Sequence, residues 1–293
     1  MTGQQVIDTV IKANSYLDVF SNIEDWKNDF NSFIQMIHPD KCHLQHAQYA
    51  SAKLLEFRKA LENGVDFNDD AGLVTYFPKC CIFKGKEDLL KLSLKNYNKL
   101  ISFNNKKDLH FHKYLPNSLE LKNKQLVTNF EERALPLSSI KKLPQEHVNW
   151  VLSRLLEIST WFDSHQIYHG GINLDSIFIV PKTHGIIVTS FYHLTEIDKI
   201  VKTISGKYKL FYPNVLFTTK KASSFIDIEL SKRVAAYLLG DVSGNGAGLR
   251  KICNEDFINF LLKYDVRSSF DIFKDYRELL KRNFETKFYH LNI

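Results

Sequence analysis

"MIHPDKCH", residues 36–43, sets His38, Pro39 and Asp40 side by side, followed by Lys41. The flanks decide how this turn is read. Upstream, "SNIEDWKNDFNSFIQMI" repeats Trp26, Phe30, Phe33, Ile34 and Ile37 at intervals of three and four, which is one apolar face of an amphipathic helix. Ser21 or Asn22 can cap it. Downstream, "QHAQYASAKLLEFRKALENG" places Ala50, Leu54, Phe57 and Leu61 on one side, and Gly64 is a good stop. Residues 4–20 are also helical in spacing, with a break at Asn14-Ser15. Two antiparallel helices that bury their apolar faces leave the connecting turn exposed. It then presents an imidazole, a backbone stiffened by Pro39, and a carboxylate able to accept charge-assisted hydrogen bonds.

Past Gly64, "GVDFNDDAG" reads as a polar linker over 65–74, so a domain boundary is expected there. "GLVTYFPKCCIFKG" and "NKQLVTNFEE" look strand-like, rich in β-branched and aromatic residues. "EDLLKLSLKNYNKLISF" fits either strand or helix. "PQEHVNWVLSRLLEISTWFDSHQ" predicts a long helix that buries Val148, Val151, Leu155, Ile158 and Phe162 and has Pro144 near its first turn. "IYHGGINLDSIFIV" is a loop entering a short apolar strand, and "HGIIVTSFYH" is a second such strand. "FIDIELSKRVAAYLLGD" and the tail 255–283 are helical.

A chain of 293 residues accommodates two domains. The net charge of +6 comes from lysines and arginines that are spread rather than blocked, so they read as solvated faces rather than a nucleic-acid or anionic-membrane stripe. Cys42, Cys80, Cys81 and Cys253 form no CxxC pair, which predicts reduced thiols and no structural zinc. "MTGQQVIDTV" lacks the apolar run of a secretory leader, and no stretch of about twenty apolar residues occurs to span a membrane. A cytoplasmic location is expected.

The helix, HPD turn, helix series, preceded by "SYLDVF" with its Tyr-x-x-x-Phe pattern, resembles the J-domain of DnaJ-type cochaperones over roughly residues 14–64. The resemblance implies an N-terminal antiparallel helical domain, 1–64. It also implies a DnaK-type chaperone as partner, with its ATP hydrolysis stimulated through His38, Pro39 and Asp40. Lys27 and Lys41 are the basic residues expected beside that contact. Family members usually carry Lys and Arg along the second helix; here Glu24, Asp25, Asp29, Asn31 and Ser32 intervene. Steering toward an acidic partner groove is thereby weakened.

"YHGGINLDSIFI" resembles the catalytic loop of protein kinases, H-R-D-L-x-x-x-N. The similarity extends over about residues 130–285 through the preceding long helix, the following strand and the helix that begins near Asp227. It implies a two-lobed domain over 75–293, with a reduced small lobe at about 75–133 and a large lobe at about 134–293. Carried over residue by residue, His169 matches the loop histidine. Gly171 stands at the catalytic aspartate, Ser176 at the metal-binding asparagine, and Ser190 at the aspartate of D-F-G, with Phe191 kept and Tyr192 in place of the glycine. Asn214 replaces the glutamate of A-P-E, so Arg267 loses its usual partner. Asp227, which braces the loop backbone in kinases, is retained.

Phosphoryl transfer needs a base and carboxylates for magnesium. Glycine supplies neither, and serine is a poor ligand for a hard cation. The pattern implies a pseudokinase with no catalytic residues, no metal and no required cofactor, and leaves nucleotide binding open. "GNGAG" at 244–248 lies too late in the chain to cradle phosphate, and Lys84, Lys86, Lys91 and Lys95 read as solvated lysines. Asp175 as a relocated base would need several other rescues at once.

The expected whole is α+β: a J-domain cochaperone fused to a kinase-like protein-binding module that holds an unknown client or assembly protein, with no nucleic-acid or membrane partner. Such pairings resemble bacteriophage proteins, which would place the chain in a host cytoplasm. The rivals are an atypical serine/threonine protein kinase, or a decoy that binds the chaperone without stimulating it.

Overall fold

In the computed structural model, Thr2 opens the first helix with a capping box. Its hydroxyl accepts the Gln5 N–H at 3.3 Å, and the Gln5 side chain accepts the Thr2 N–H at 2.8 Å. Helix α1 runs Gly3–Lys12, α2 Trp26–Ile37 and α3 Ala47–Asn63. The described residues are 1–13, 16–20, 26–285, 287 and 289–291. The caps Ser21 and Asn22, the break at Asn14-Ser15, and Glu24 and Asp25 lie outside them. The chain divides into a first unit, Met1–Phe67 with Thr75–Pro78, and a second, Asn68–Val74 with Lys79–Leu291.

In the first unit the three helices pack on one another around Val6, Val10, Phe20, Phe30, Ile37, Leu54 and Phe57. Helices α2 and α3 run antiparallel. Ser51 donates to the Ile37 carbonyl at 2.7 Å, while at the far end the Arg58 guanidinium sits 5.2 Å from the Phe30 ring centre. Lys53, half-buried on α3, donates to the carbonyls of Ile11 (2.9 Å) and Ala13 (2.7 Å), satisfying the C-terminal end of α1. Lys53→Met should weaken that end by about 1–2 kcal/mol. Hydrogen exchange of the α1 amides should speed up roughly tenfold, and unaltered protection would contradict the tether.

The stretch 65–74, expected as a linker, is corrected by the structure: it forms β1 (Val65–Asn68) and the start of β2 (Gly72–Phe77). Val65 and Phe67 are half-buried and alternate with exposed Asp66 and Asn68, a period of two too short to stand out in the sequence. The polar residues make a turn instead of a tether. Asp69 Oδ1 accepts the N–H groups of Ala71 (2.8 Å) and Gly72 (3.0 Å), the bond pattern that favours aspartate in turns.

In the second unit, β3 (Cys80–Gly85), β4 (Ser118–Lys122) and β5 (Gln125–Asn129) are antiparallel in the order β3-β5-β4, with Phe83 opposite Leu126 and Leu119 opposite Thr128. The ambiguous segment is helix α4 (Glu87–Ser102). Leu90, Ser93, Tyr97 and Leu100 face inward at steps of three and four, and Glu87 pairs with Lys91 one turn on. Strand β6 (Leu135–Pro136) leads to α5 (Gln145–Ser164), whose expected buried face is buried. Then come β7 (Ile167–Tyr168), β8 (Ile177–Val180), β9 (Gly185–Val188) and β10 (Thr195–Glu196). They pair as β6-β8-β9 and β7-β10. Helices α6 (Asn214–Thr219), α7 (Ser224–Leu238), α8 (Glu255–Leu262) and α9 (Ser269–Asn283) complete the chain. Helix α7 is buried almost all round, with Asp227, Glu229, Ser231 and Lys232 buried among its apolar residues and Lys232 paired to Glu229 at 2.8 Å, and it packs against α5, α8 and α9. The chain is thus α+β. Among the described residues no helix is long and apolar enough to cross a membrane.

Candidate functional site

Each unit holds one constellation of candidate site residues. In the first, His38, Pro39, Asp40 and Lys41 are all exposed at the corner between α2 and α3, whereas Lys27, also exposed, lies in the first turn of α2, at the far end of that helix from the corner. The N–H groups of Lys41 (2.9 Å) and Cys42 (2.8 Å) both bond the His38 carbonyl and fix the turn. The Asp40 N–H donates to His38 Nδ1 at 3.2 Å, so the neutral ring carries its proton on Nε2. The Asp40 carboxylate lies 3.6 Å from the same ring. Lys27 sits 5.8 Å from the Trp26 ring centre, on the helix where Asn31 and Ser32 are exposed and Asp29 is half-buried.

The second constellation is the loop after β7. Asp227, in the first turn of α7, accepts the His169 N–H (2.7 Å) and the Gly170 N–H (2.9 Å) on its two carboxylate oxygens. Burial pushes its carboxyl up to about 7, against these two bonds. Gly170 has φ +74°, and a Cβ there would fall 2.3 Å from the Tyr168 ring, so only glycine fits. His169 is wholly buried. Its Nε2 donates to the Thr189 carbonyl at 3.0 Å and its Nδ1 accepts the Gly171 N–H at 3.2 Å. Ser176 uses its hydroxyl to bond the Gly171 carbonyl at 2.5 Å, closing the loop on itself. Asn173 Oδ1 accepts the N–H groups of Asp175 (2.8 Å) and Ser176 (3.0 Å). Asp175 is buried and tied to Lys207 at 2.7 Å.

At position 171 the space a side chain would occupy is filled. A Cβ built there lies 2.3 Å from Cδ2 and 2.9 Å from Cγ of His193. That imidazole is buried, with Nδ1 3.1 Å from Thr203 Oγ1 and Nε2 3.6 Å from Asp70 Oδ2. Ser190, the neighbouring candidate, adopts a left-handed backbone (φ 58°, ψ 41°), uncommon for a residue with a side chain. Its hydroxyl donates to Asp69 Oδ2 at 3.3 Å, and Tyr192 OH donates to the same oxygen at 2.9 Å. Loops 169–176 and 189–193 are therefore knitted into one buried cluster with the turn at Asp69-Asp70.

Asp69, Asp70 and His193 escaped sequence reading. The only local signal was "NDDAG", an aspartate ahead of a glycine turn. Both acids bring carboxylates toward the cluster, but donors occupy them. Asp69 Oδ1 holds two backbone N–H groups and Oδ2 two hydroxyls. Asp70 Oδ1 accepts the Gly206 N–H at 2.8 Å. Burial raises the Asp69 carboxyl above its ordinary value. Burial also acts to raise Asp70, but His193, Ser205 and the Gly206 N–H outweigh it and hold that carboxyl below the ordinary value. Among the described residues no group of three or more His, Cys, Asp or Glu is arranged to hold a metal ion. Asp69 and Asp70 thus use carboxylate oxygens to hold the loops together.

Elsewhere, Arg267 pairs with Asp265 at 2.6 Å and with Asp275 at 2.7 Å. Lys84, Lys86, Lys91 and Lys95 are all exposed. The four cysteines are free thiols.

Burial holds the His169 imidazole near pKa 3, below the ordinary 6.5, with nearby His193 adding to the shift. An unfolded histidine takes up its proton near 6.5 and the folded one refuses it. Stability from this group is therefore complete above 6.5 and drains away as pH falls toward 3, by up to about 1.4 kcal/mol per pH unit. In an NMR titration, the His169 ring protons should not shift between pH 7 and pH 4.5; an inflection near 6.5 would refute the buried neutral ring.

No family model matches this sequence, and no curated protein matches it.

Proposed function

We propose that the chain is a cochaperone of the J-domain type, whose HPD corner engages a DnaK-type ATPase, joined to a kinase-like module that binds protein rather than transferring phosphate. The observation that carries this reading is the exposed His38-Pro39-Asp40 corner closing two antiparallel helices whose apolar faces are buried together. A rigid corner with a donor-ready imidazole and an exposed carboxylate can give a hydrogen bond to a partner acceptor and take charge-assisted ones from a partner arginine. For the second unit, the reading is supported by the glycine and serines at 171, 176 and 190 and by the His193 ring that fills the space beside Gly171. Asp227 meanwhile keeps the loop's shape.

The test is ATP turnover by a DnaK-type chaperone with the intact chain and with His38→Gln. Stimulation by the intact chain, lost in the variant, is expected. Equal stimulation by both would defeat the reading. The neutral and acidic face of α2, with Asp29, Asn31 and Ser32, favours a second reading as a decoy. Binding of the chaperone with no stimulation by either protein would select it.

A further inference from the structure

Between Asp198 and Asp227 the chain contains no acidic residue and six lysines: Lys199, Lys202, Lys207, Lys209, Lys220 and Lys221. Scattered along the sequence, they look like ordinary solvated charge. The second unit gathers them. Ile200 forms an antiparallel bridge with Lys221. Around it the Val201 N–H bonds the Lys220 carbonyl (2.8 Å), the Ala222 N–H bonds the Lys199 carbonyl (2.8 Å), and the Asp198 N–H bonds the Ala222 carbonyl (2.9 Å). This pairing lays Lys199 and Lys202 beside Lys220 and Lys221. Lys209 reaches back over the Phe217 ring of α6, 5.7 Å from its centre, so the 207–210 corner abuts the same helix.

All six lysines are exposed. Among the described residues, Lys199, Lys202, Lys209, Lys220 and Lys221 form no ion pair, and Lys207 has paired with a carboxylate, Asp175. Large apolar side chains stand among them in solvent: Leu210 is 91% exposed, Ile200 58% and Phe217 39%. Unpaired like charges this close repel one another, and apolar side chains left in water are unfavourable. A partner that brings carboxylates and apolar groups together relieves both.

We propose that the 199–221 face of the second unit is a docking surface for an acidic, amphipathic segment of a partner protein. Carboxylates of that segment meet Lys202, Lys220 and Lys221, and its apolar residues cover Leu210 and Phe217. The stretch holds no arginine and shows one exposed aromatic ring, so it lacks the guanidinium forks and stacking platforms that suit nucleic acid. Its large exposed apolar side chains number three, Ile200, Leu210 and Phe217, set among six lysines, short of the continuous apolar face that a bilayer surface takes. This inference rests on the reading of the second unit as a binding module and names its partner class. Its test involves no chaperone, so a failure here leaves the HPD reading untouched.

The experiment is fluorescence anisotropy of the intact chain with a labelled peptide of repeated Glu-Glu-Leu. The parallel arms are the same peptide with Gln for Glu, oligothymidylate, and phosphatidylcholine vesicles with and without phosphatidylserine. The Glu-Glu-Leu peptide should bind with an affinity that falls as salt rises. The charge reversal Lys202→Glu, Lys220→Glu and Lys221→Glu together should weaken it at least about tenfold. Leu210→Ala should weaken it several-fold with the salt dependence kept. All four side chains are exposed, so thermal melting should be unchanged and loss of binding will not reflect misfolding. Reversal of Lys106 and Lys107, exposed elsewhere on the unit, should have no effect. The proposal is overturned if the peptide does not bind, if the triple reversal binds as well as the intact chain, or if the Lys106 and Lys107 reversal weakens binding equally. Tighter binding to oligothymidylate or to phosphatidylserine vesicles than to the peptide also overturns it.

Discussion

Asp227→Ala should lower the stability of the second unit by about 4 kcal/mol, since each buried donor left without its partner costs roughly 1–3 kcal/mol. The His169 and Gly170 N–H groups both bond this one carboxylate, at 2.7 and 2.9 Å, and the loop that contains them is buried. Water has no ready access to replace the lost acceptor, and the vacated space adds a cavity cost. Asp227→Asn should cost less, about 2 kcal/mol, because one amide oxygen remains to accept while the NH₂ faces the other donor. Urea unfolding followed by the fluorescence of buried Trp161 reads the difference. A loss below about 1 kcal/mol in the alanine variant would mean that the loop keeps its shape without the brace.

The same residue has a pH signature. Its carboxyl is pushed up to about 7 in the folded chain from an ordinary value of 3.8. A raised folded value favours the protonated form, so the stability tied to it is complete below 3.8 and is lost as pH rises through 7. The gap between the wild-type chain and Asp227→Asn should therefore narrow between pH 5 and pH 7. This runs opposite to the acid-side loss caused by His169.

Gly171→Asp, which tests the proposed kinase-like reading by placing a carboxylate where that resemblance implies one, should destabilise the second unit by about 3–5 kcal/mol and confer no phosphotransfer. The added Cβ falls 2.3 Å from the His193 ring, and overpacking of this kind costs about 1–3 kcal/mol. The carboxylate beyond it then enters a buried cluster, which adds a desolvation cost. Adding His193→Ala should recover at least about 2 kcal/mol, a coupling expected for two groups competing for one space. Some strain will persist, because the His193 Cβ stays 3.2 Å away. Gly171→Asp melting like the wild-type chain would show that the ring swings aside, and the filled site would then be only one arrangement among several.

Helices whose apolar residues recur at three and four, such as α3 and α5, were legible in the sequence because each buries one continuous stripe. Helix α4 was ambiguous: "LLKLSLK" alternates like a strand, and only the longer spacing from Leu90 to Leu100 separates the two periods. The stretch 65–74 was misread because a polar turn and a polar linker share a composition; what tells them apart is where Asp69 Oδ1 points. The candidate loop residues could be named from their order along the chain. Their surroundings could not, because Ser190 meets Asp69 across 121 positions, and no local window sees that approach. The filling of position 171 by His193 is likewise invisible until the backbone is folded.

The turn at residues 38–42 is held by its own backbone and by the His38 ring. If this turn is the docking element proposed above, its internal bonds leave it little freedom to lose on docking, and association should proceed without a slow ordering step. Differences among bound partners would then appear mainly in residence time, and substitutions at this corner would shorten the lifetime of a complex more than they slow its assembly.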